Sequence, residues 1–147
     1  MQKIFEYCWH YYLINCVVAI QKSNGRVLMY TYYPFTAKYC GQVESVLTNE
    51  YNGTTLVSEE LFPKKLRNFY GCPLKAALWH VPPHLYLKTD TNNITTISGG
   101  FEGKLLLTLS NKLNFSLDII IPPDDSKRGM LVENGSLTGA LKMVSLI

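Results

Sequence analysis

The sequence predicts an α/β fold: a strand–helix–strand unit in the C-terminal half, preceded by a β-hairpin region. Three observations carry this. Residues 74–79 and 117–121 are short apolar runs, the pattern of strands covered on both faces. Between them, residues 101–115 read as a turn and an amphipathic helix, a separation that suits a parallel crossover. Upstream, residues 11–20 and 26–33 are rich in Val, Ile and Tyr and are joined by Gln21-Lys22-Ser23-Asn24-Gly25. Asn-Gly supplies the positive φ that a tight hairpin turn demands.

The other elements follow in chain order. Phe5, Tyr7, Trp9, Tyr11 and Tyr12 alternate as in a strand packed on one face. Pro34 ends the hairpin. Residues 42–47 fit either a short helix or a loop, and Asn52-Gly53-Thr54 marks a turn. Residues 58–62 resemble a helix start cut short by Pro63, and residues 64–70 a short basic turn or helix. Gly71-Cys72-Pro73 breaks the chain before the first apolar strand. Val81-Pro82-Pro83-His84 cannot continue a ladder, because proline has no amide hydrogen. Residues 89–100 read as a flexible polar loop. The helix from Glu102 places Leu105, Leu106, Leu109 and Leu113 on one face. Pro122-Pro123 stops the next strand, and residues 124–134 form a charged loop in which Asp124-Asp125 read as a solvated turn. Ser136 is the expected cap of a last helix with Leu137, Ala140, Leu141 and Val144 inward.

Composition bounds the function. The length allows one domain and part of another, taken here as residues 1–70 and 71–147. Fourteen basic against eleven acidic side chains give a formal charge of +3. The cations, Lys64, Lys65 and Arg67 among them, are scattered and read as a solvated surface, so no nucleic-acid partner is expected. No run approaches the ~18 apolar residues of a membrane helix, and Asn15 interrupts the only leader-like stretch. Four Asn-x-Ser/Thr sequons, at Asn52, Asn93, Asn114 and Asn134, favour the secretory pathway. Asn52 and Asn93 sit in polar loops, whereas Asn114 abuts a strand. Cys8, Cys16, Cys40 and Cys72 allow three full pairings. Cys40 and Cys72 adjoin glycines at chain turns, which favours that bridge, and Cys16 is expected to be a buried free thiol in an apolar strand. No spacing supports a metal site or a cofactor. Pro82-Pro83 keeps His80 and His84 off a common helical face, and no histidine has a nucleophile partner, so an enzyme is not expected.

The order of these motifs carries a resemblance. Phe62-Pro63-Lys64-Lys65-Leu66-Arg67-Asn68-Phe69-Tyr70-Gly71-Cys72-Pro73-Leu74, Val81-Pro82-Pro83, Phe101-Glu102-Gly103, Leu113-Asn114-Phe115 and residues 133–139 follow one another as in the first ligand-binding segment of ionotropic glutamate receptors. The text is closer to the insect chemosensory ionotropic receptors, whose short N-terminal region Tyr30-Thr31-Tyr32-Tyr33-Pro34-Phe35 and Tyr39-Cys40 also resemble. The resemblance covers residues 11–147, and its most specific part is Leu66-Arg67-Asn68 through Gly71-Cys72-Pro73-Leu74. It implies part of a periplasmic-binding-protein-like lobe, a clamshell that closes on a small molecule and opens a cation pore. It also implies a plasma-membrane location and co-receptor subunits in a hetero-oligomer. Membrane attachment would lie in segments downstream of this sequence.

In that frame the cleft lies beyond the strands' carboxyl ends, at Pro83 and His84 after the first strand and at Phe101 and Glu102 at the helix start, whose amides favour an anion. Two departures stand out. Glutamate receptors carry Glu-Pro-Tyr or a similar triplet where this chain has Pro82-Pro83-His84, so a polar or pH-sensitive contact, or simply an exposed loop histidine, replaces the aromatic ring. Their ligand-anchoring arginine falls downstream of Ile147. Glu102 suits a helix-orienting role at least as well as a ligand contact. Residues 144–147 end within a helical pattern without a Gly or Asn terminator, so the chain reads as a fragment. A soluble two-lobe solute-binding protein and a truncated non-functional product are the alternatives.

Overall fold

A computed structural model describes residues 1–123 and 127–145. They form two compact units, Met1–Cys72 and Pro73–Ile147. The fold is mixed α/β, with a hairpin-bearing sheet first and a parallel strand–helix–strand unit second.

The first unit opens with helix α1 (Gln2–His10), followed by strands β1 (Val18–Gln21), β2 (Val27–Tyr32) and β3 (Ser45–Tyr51) in one antiparallel sheet of that order. The β1–β2 turn forms where Asn24-Gly25 stands. The Lys22 amide donates to the Arg26 carbonyl at 2.8 Å, and Gly25 takes φ +80°. Two elements differ from expectation. The aromatic run is a helix through His10, because Phe5, Cys8 and Trp9 fall at i, i+3, i+4 and make one apolar stripe. Phe5 and Cys8 are buried, and the Phe5 ring lies 5.5 Å from that of Tyr32 on β2; Tyr7, Tyr11 and Tyr12 face out. Residues from Ser45 onward join the sheet as β3, where pairing with β2 outweighs weak local propensity. No helix forms at residues 58–62; Ser58 exchanges hydrogen bonds with the buried Asn49 side chain instead, at 2.7 and 3.0 Å.

Phe5, Cys8 and Tyr32 form the core of this unit, with Trp9, Cys16, Val18, Tyr30 and Val43 packed around them. Cys16 lies before β1 rather than inside it and is only half-buried. Cys40 and Cys72 form a disulfide, with Cα atoms 5.5 Å apart. Lys65 is not a surface cation: it is 6% exposed. Its Nζ donates to the Ile14 carbonyl at 2.6 Å and to Thr31 Oγ1 at 2.7 Å, and lies 4.5 Å from the Tyr32 ring centroid. Thr31 Oγ1 in turn donates to the Cys16 carbonyl at 2.6 Å. Burial pulls the Lys65 ammonium below its ordinary pKa, with the neighbouring Cys16 and Cys8 acting in the opposite sense.

The second unit contains β4 (Pro73–Ala77), the antiparallel hairpin β5 (Tyr86–Thr89) and β6 (Thr95–Gly99), helix α2 (Phe101–Leu113), β7 (Ser116–Ile120) and the short α3 (Gly139–Ser145). Strands β4 and β7 pair in parallel from Pro73↔Ser116 to Ala77↔Ile120, with α2 in the connection between them. Residues 89–100 are thus mostly hairpin rather than loop. Asp90 organises its turn by accepting from the amides of Asn92 and Ile94 at 2.9 and 2.8 Å. Asn114, in the left-handed region at φ 54°, ends α2.

The covered face of α2 is not the predicted leucine stripe. Gly103 is buried and Leu106, Ser110 and Leu113 are half-buried, whereas Leu105 and Leu109 are exposed. The close approach of Ile97 and Leu85 at Gly103 sets this rotation: a Cβ there would stand 2.7 Å from Ile97 Cγ2. Helix α3 begins at Gly139, three residues after the expected cap. Ser136 closes a turn on Asn134 Oδ1, and Leu141 and Val144 are exposed rather than inward. Asp124 and Asp125 lie outside the described residues, as do residues 146–147 of the terminal helical pattern.

Candidate ligand-binding site at the start of helix α2

Beyond β4, the Leu78 amide donates to the Ile120 carbonyl at 3.0 Å and so extends the parallel ladder by one residue. The chain then reverses. Val81 and Leu85 exchange amide–carbonyl hydrogen bonds at 2.9 and 3.0 Å, with Pro82, Pro83 and His84 at the tip and a cis Pro82–Pro83 peptide. The leading edge of α2 packs on this tip. The Glu102 amide donates to the His84 carbonyl at 3.0 Å. Gly100 makes this approach possible: it takes φ +87°, and a Cβ there would stand 2.2 Å from the His84 carbonyl oxygen.

Three of the four predicted ligand contacts therefore meet, and Pro83 adjoins them in sequence. The His84 ring lies 4.7 Å from the Phe101 ring, and His84 Nδ1 lies 3.4 Å from Glu102 Oε1. Both members of that pair are about half exposed, which leaves them accessible to a ligand. Glu102 also lines a small cavity of about 160 Å³ with Ala77, Leu78, Trp79, Val81 and Leu85. An anion at the α2 amides would share this end of the helix with the His84 carbonyl and the Glu102 side chain. The Glu102 amide is already taken by the His84 carbonyl, and the Glu102 carboxylate adds negative charge beside it. Hydrogen-bond donors and cations suit this surface better. Trp79 and Leu85, the apolar walls of the cavity, escaped sequence reasoning; a large aromatic at the carboxyl end of a buried strand was the available signal.

His80 stands apart from His84. Its Nδ1 accepts from the Leu87 amide at 3.2 Å, and its ring meets Tyr86 edge-on. Among the described residues no group of three or more His, Cys, Asp or Glu side chains could hold a metal ion, and no helix is long and apolar enough to cross a membrane. All four sequon asparagines are exposed: Asn52 at the end of β3, Asn93 in the β5–β6 turn, Asn114 at the end of α2, and Asn134 in the turn before α3. The sequon hydroxyls of Thr54 and Ser136 donate to the Asn52 and Asn134 Oδ1 atoms at 2.8 and 2.7 Å.

Residues 1–68 match the family model described as "Putative ionotropic receptor, ligand binding domain". The matched residues lie within the first unit, from α1 through the segment carrying Lys65, and stop short of the His84 cluster. That part of the chain is similar to a ligand-binding domain of ionotropic receptors. It holds an open groove of about 450 Å³ whose walls include Ile14, Asn15, Phe62, Lys64 and Arg67, none of which sequence reasoning placed at a binding site. No curated protein matches the chain.

Proposed function

We propose that this chain is part of a ligand-gated cation channel subunit serving chemosensation, in which His84, Phe101 and Glu102 contact a small-molecule ligand. The observation that carries the reading is the match of residues 1–68 to an ionotropic receptor ligand-binding domain. The parallel β4–α2–β7 unit supports it, because ligands of open α/β layers gather beyond the strands' carboxyl ends, where these three side chains stand. The ligand class that fits is a small amine or another donor-bearing molecule with an apolar body. Glu102 supplies the acceptor, and Phe101 with His84 supplies a ring platform. Gating then follows from the ligand's preference for a closed clamshell over an open one. The working form is a hetero-oligomer with co-receptor subunits in the plasma membrane, without enzymatic activity or cofactor.

The test uses the full-length transcript, expressed with co-receptor subunits and read as ligand-evoked current. Amines should open the channel better than carboxylates of similar size. Glu102→Gln should raise the half-maximal amine concentration roughly tenfold at equal surface expression, the ratio that about 1.4 kcal/mol represents. Unchanged sensitivity of Glu102→Gln sinks the site assignment. A transcript that lacks membrane segments of about twenty apolar residues sinks the channel itself and leaves a soluble solute-binding protein.

A further inference from the structure

The first unit contains a second cysteine pair. Cys8 lies in the last turn of α1, and the chain leaving that helix folds straight back on it. The Leu13 amide donates to the Cys8 carbonyl at 2.7 Å, Tyr12 takes φ 56°, and the Cys16 amide donates to the Ile14 carbonyl at 3.1 Å. This return loop sets Cys16 Sγ 3.1 Å from Cys8 Sγ, inside the cluster built on Phe5 and Tyr32. The Cys16 backbone is fixed from the other side by Thr31 and, through Thr31 and Ile14, by the buried Lys65 ammonium. The two sulfurs thus stand about 1 Å beyond disulfide bonding distance, a gap that small side-chain rotations close.

We propose that Cys8 and Cys16 form a second disulfide, which clasps helix α1 to the entrance of β1. The oxidant is a small-molecule disulfide such as oxidised glutathione. One cysteine loses its proton, and its thiolate attacks a sulfur of the oxidant, breaking that S–S bond and expelling one thiol. Cys16, the more exposed of the two, is the entry point. Cys8, now the adjacent nucleophile, loses its proton, attacks Cys16 Sγ in the mixed disulfide and expels the second thiol. Two cysteine thiols become one disulfide, the oxidant gains two electrons, and both protons end on the released thiols. The oxidant is the same class that would close Cys40–Cys72 in a glutathione redox buffer, and the inference is independent of the channel reading. Burial, more than the neighbouring Cys8, raises the Cys16 thiol to about 11, with the Lys65 ammonium pulling the other way. Thiolate is therefore scarcer in the folded unit than at an ordinary cysteine.

The pairing can be read from one peptide. Residues 4–22 contain both cysteines, neither lysine nor arginine between Lys3 and Lys22, and no sequon. The full chain is refolded in a glutathione redox buffer, alkylated under denaturing conditions without reductant, and digested with trypsin. Peptide 4–22 should come out unalkylated and about 2 Da lighter than its reduced form, the mass of the two hydrogens lost. Digestion with an aromatic-specific protease should then leave a Cys8 fragment and a Cys16 fragment linked until reductant is added. Two alkyl groups on peptide 4–22, in a sample where Cys40–Cys72 is fully oxidised, would overturn the proposal. So would a Cys8 or Cys16 linked to Cys40 or Cys72. In Cys16→Ser, Cys8 should take one alkyl group while Cys40–Cys72 stays closed; a Cys8 that remains blocked there would show a different partner.

Discussion

The two units hold themselves together by different means. In Met1–Cys72, Phe5 and Tyr32 are fully buried, a disulfide ties Cys40 to Cys72, and a buried lysine donates to the Ile14 carbonyl and the Thr31 hydroxyl. In Pro73–Ile147, Leu85 is the one large apolar side chain among the described residues that is buried, and the tightest approaches are made at the glycines at 100, 103 and 129. Phe101, Leu105 and Leu109 on α2 lie open. The contrast teaches that apolar content is not a core. The first unit turns Phe5 and Tyr32 inward from a helix and a sheet, whereas in the second Leu105 and Leu109 lie outside and Leu106 and Leu113 are only half-buried. The first should therefore be the more stable.

The chain has two tryptophans, and each reports on one unit: Trp9 on the first and Trp79 on the second. Replacing either by Phe isolates the other's unfolding in urea. The largest expected effect is Phe5→Ala, read through Trp9. Removing a fully buried phenylalanine typically costs roughly 3–5 kcal/mol, and the Trp9 transition should shift accordingly while the Trp79 transition stays in place. A joint shift of both signals would show that the two units unfold as one, and the comparison would fail.

Gly103→Ala should act in the opposite pattern, with a smaller effect. The new methyl group would stand 2.7 Å from Ile97 Cγ2 and 3.1 Å from Leu85 Cδ1, so the β5–β6 hairpin and α2 must spread. Overpacking of this kind typically costs about 1–3 kcal/mol. The Trp79 midpoint should fall and the Trp9 midpoint hold. If Gly103→Ala is neutral, α2 is not seated on the hairpin as described, and the exposure of Leu105 and Leu109 loses its explanation.

Much of the fold could be read from the residues, and the failures have physical causes. The β4–α2–β7 unit was legible because its strands are apolar runs of the right length and its helix has a clear start at Phe101-Glu102. Helix α1 was not, because Phe5, Tyr7 and Trp9 fit a period of two as well as Phe5, Cys8 and Trp9 fit a helix; the Tyr32 ring, far along the chain, decides between them. Strand β3 and the β5–β6 hairpin are polar in text and owe their form to pairing. At the candidate site, His84, Phe101 and Glu102 could be found because each flanks a turn or a helix start. Gly100 could not, since its role rests on a positive φ and a carbonyl contact that spacing does not encode. Lys65 looked like any surface cation, and only the folded chain shows it sharing a buried network with Thr31 and Ile14.

The smallest effect sharpens the account of the first unit by its pH dependence. Tyr32 donates its hydroxyl hydrogen to the Leu13 carbonyl at 3.1 Å, and burial, aided by Cys8 and Cys16, raises its pKa from 10.0 to about 12. A proton held more tightly in the folded state adds stability that is complete below pH 10 and is lost as pH climbs from 10 towards 12. Cys16, as a thiol, adds a loss of the same sign between pH 9.0 and about 11. Lys65 opposes both: its depressed pKa is a cost of folding that fades as pH rises through 10.5. Tyr32→Phe should lower the unfolding free energy read through Trp9 by about 1 kcal/mol at pH 7, the usual worth of one hydrogen bond. That deficit should shrink through pH 10–12, because the variant has no phenol to ionise on unfolding. Closing the Cys8–Cys16 disulfide should remove the part of the decline that starts at pH 9, leaving the part above pH 10 to Tyr32. A deficit that stays constant across this range would mean that the Tyr32 hydroxyl is not held in the core.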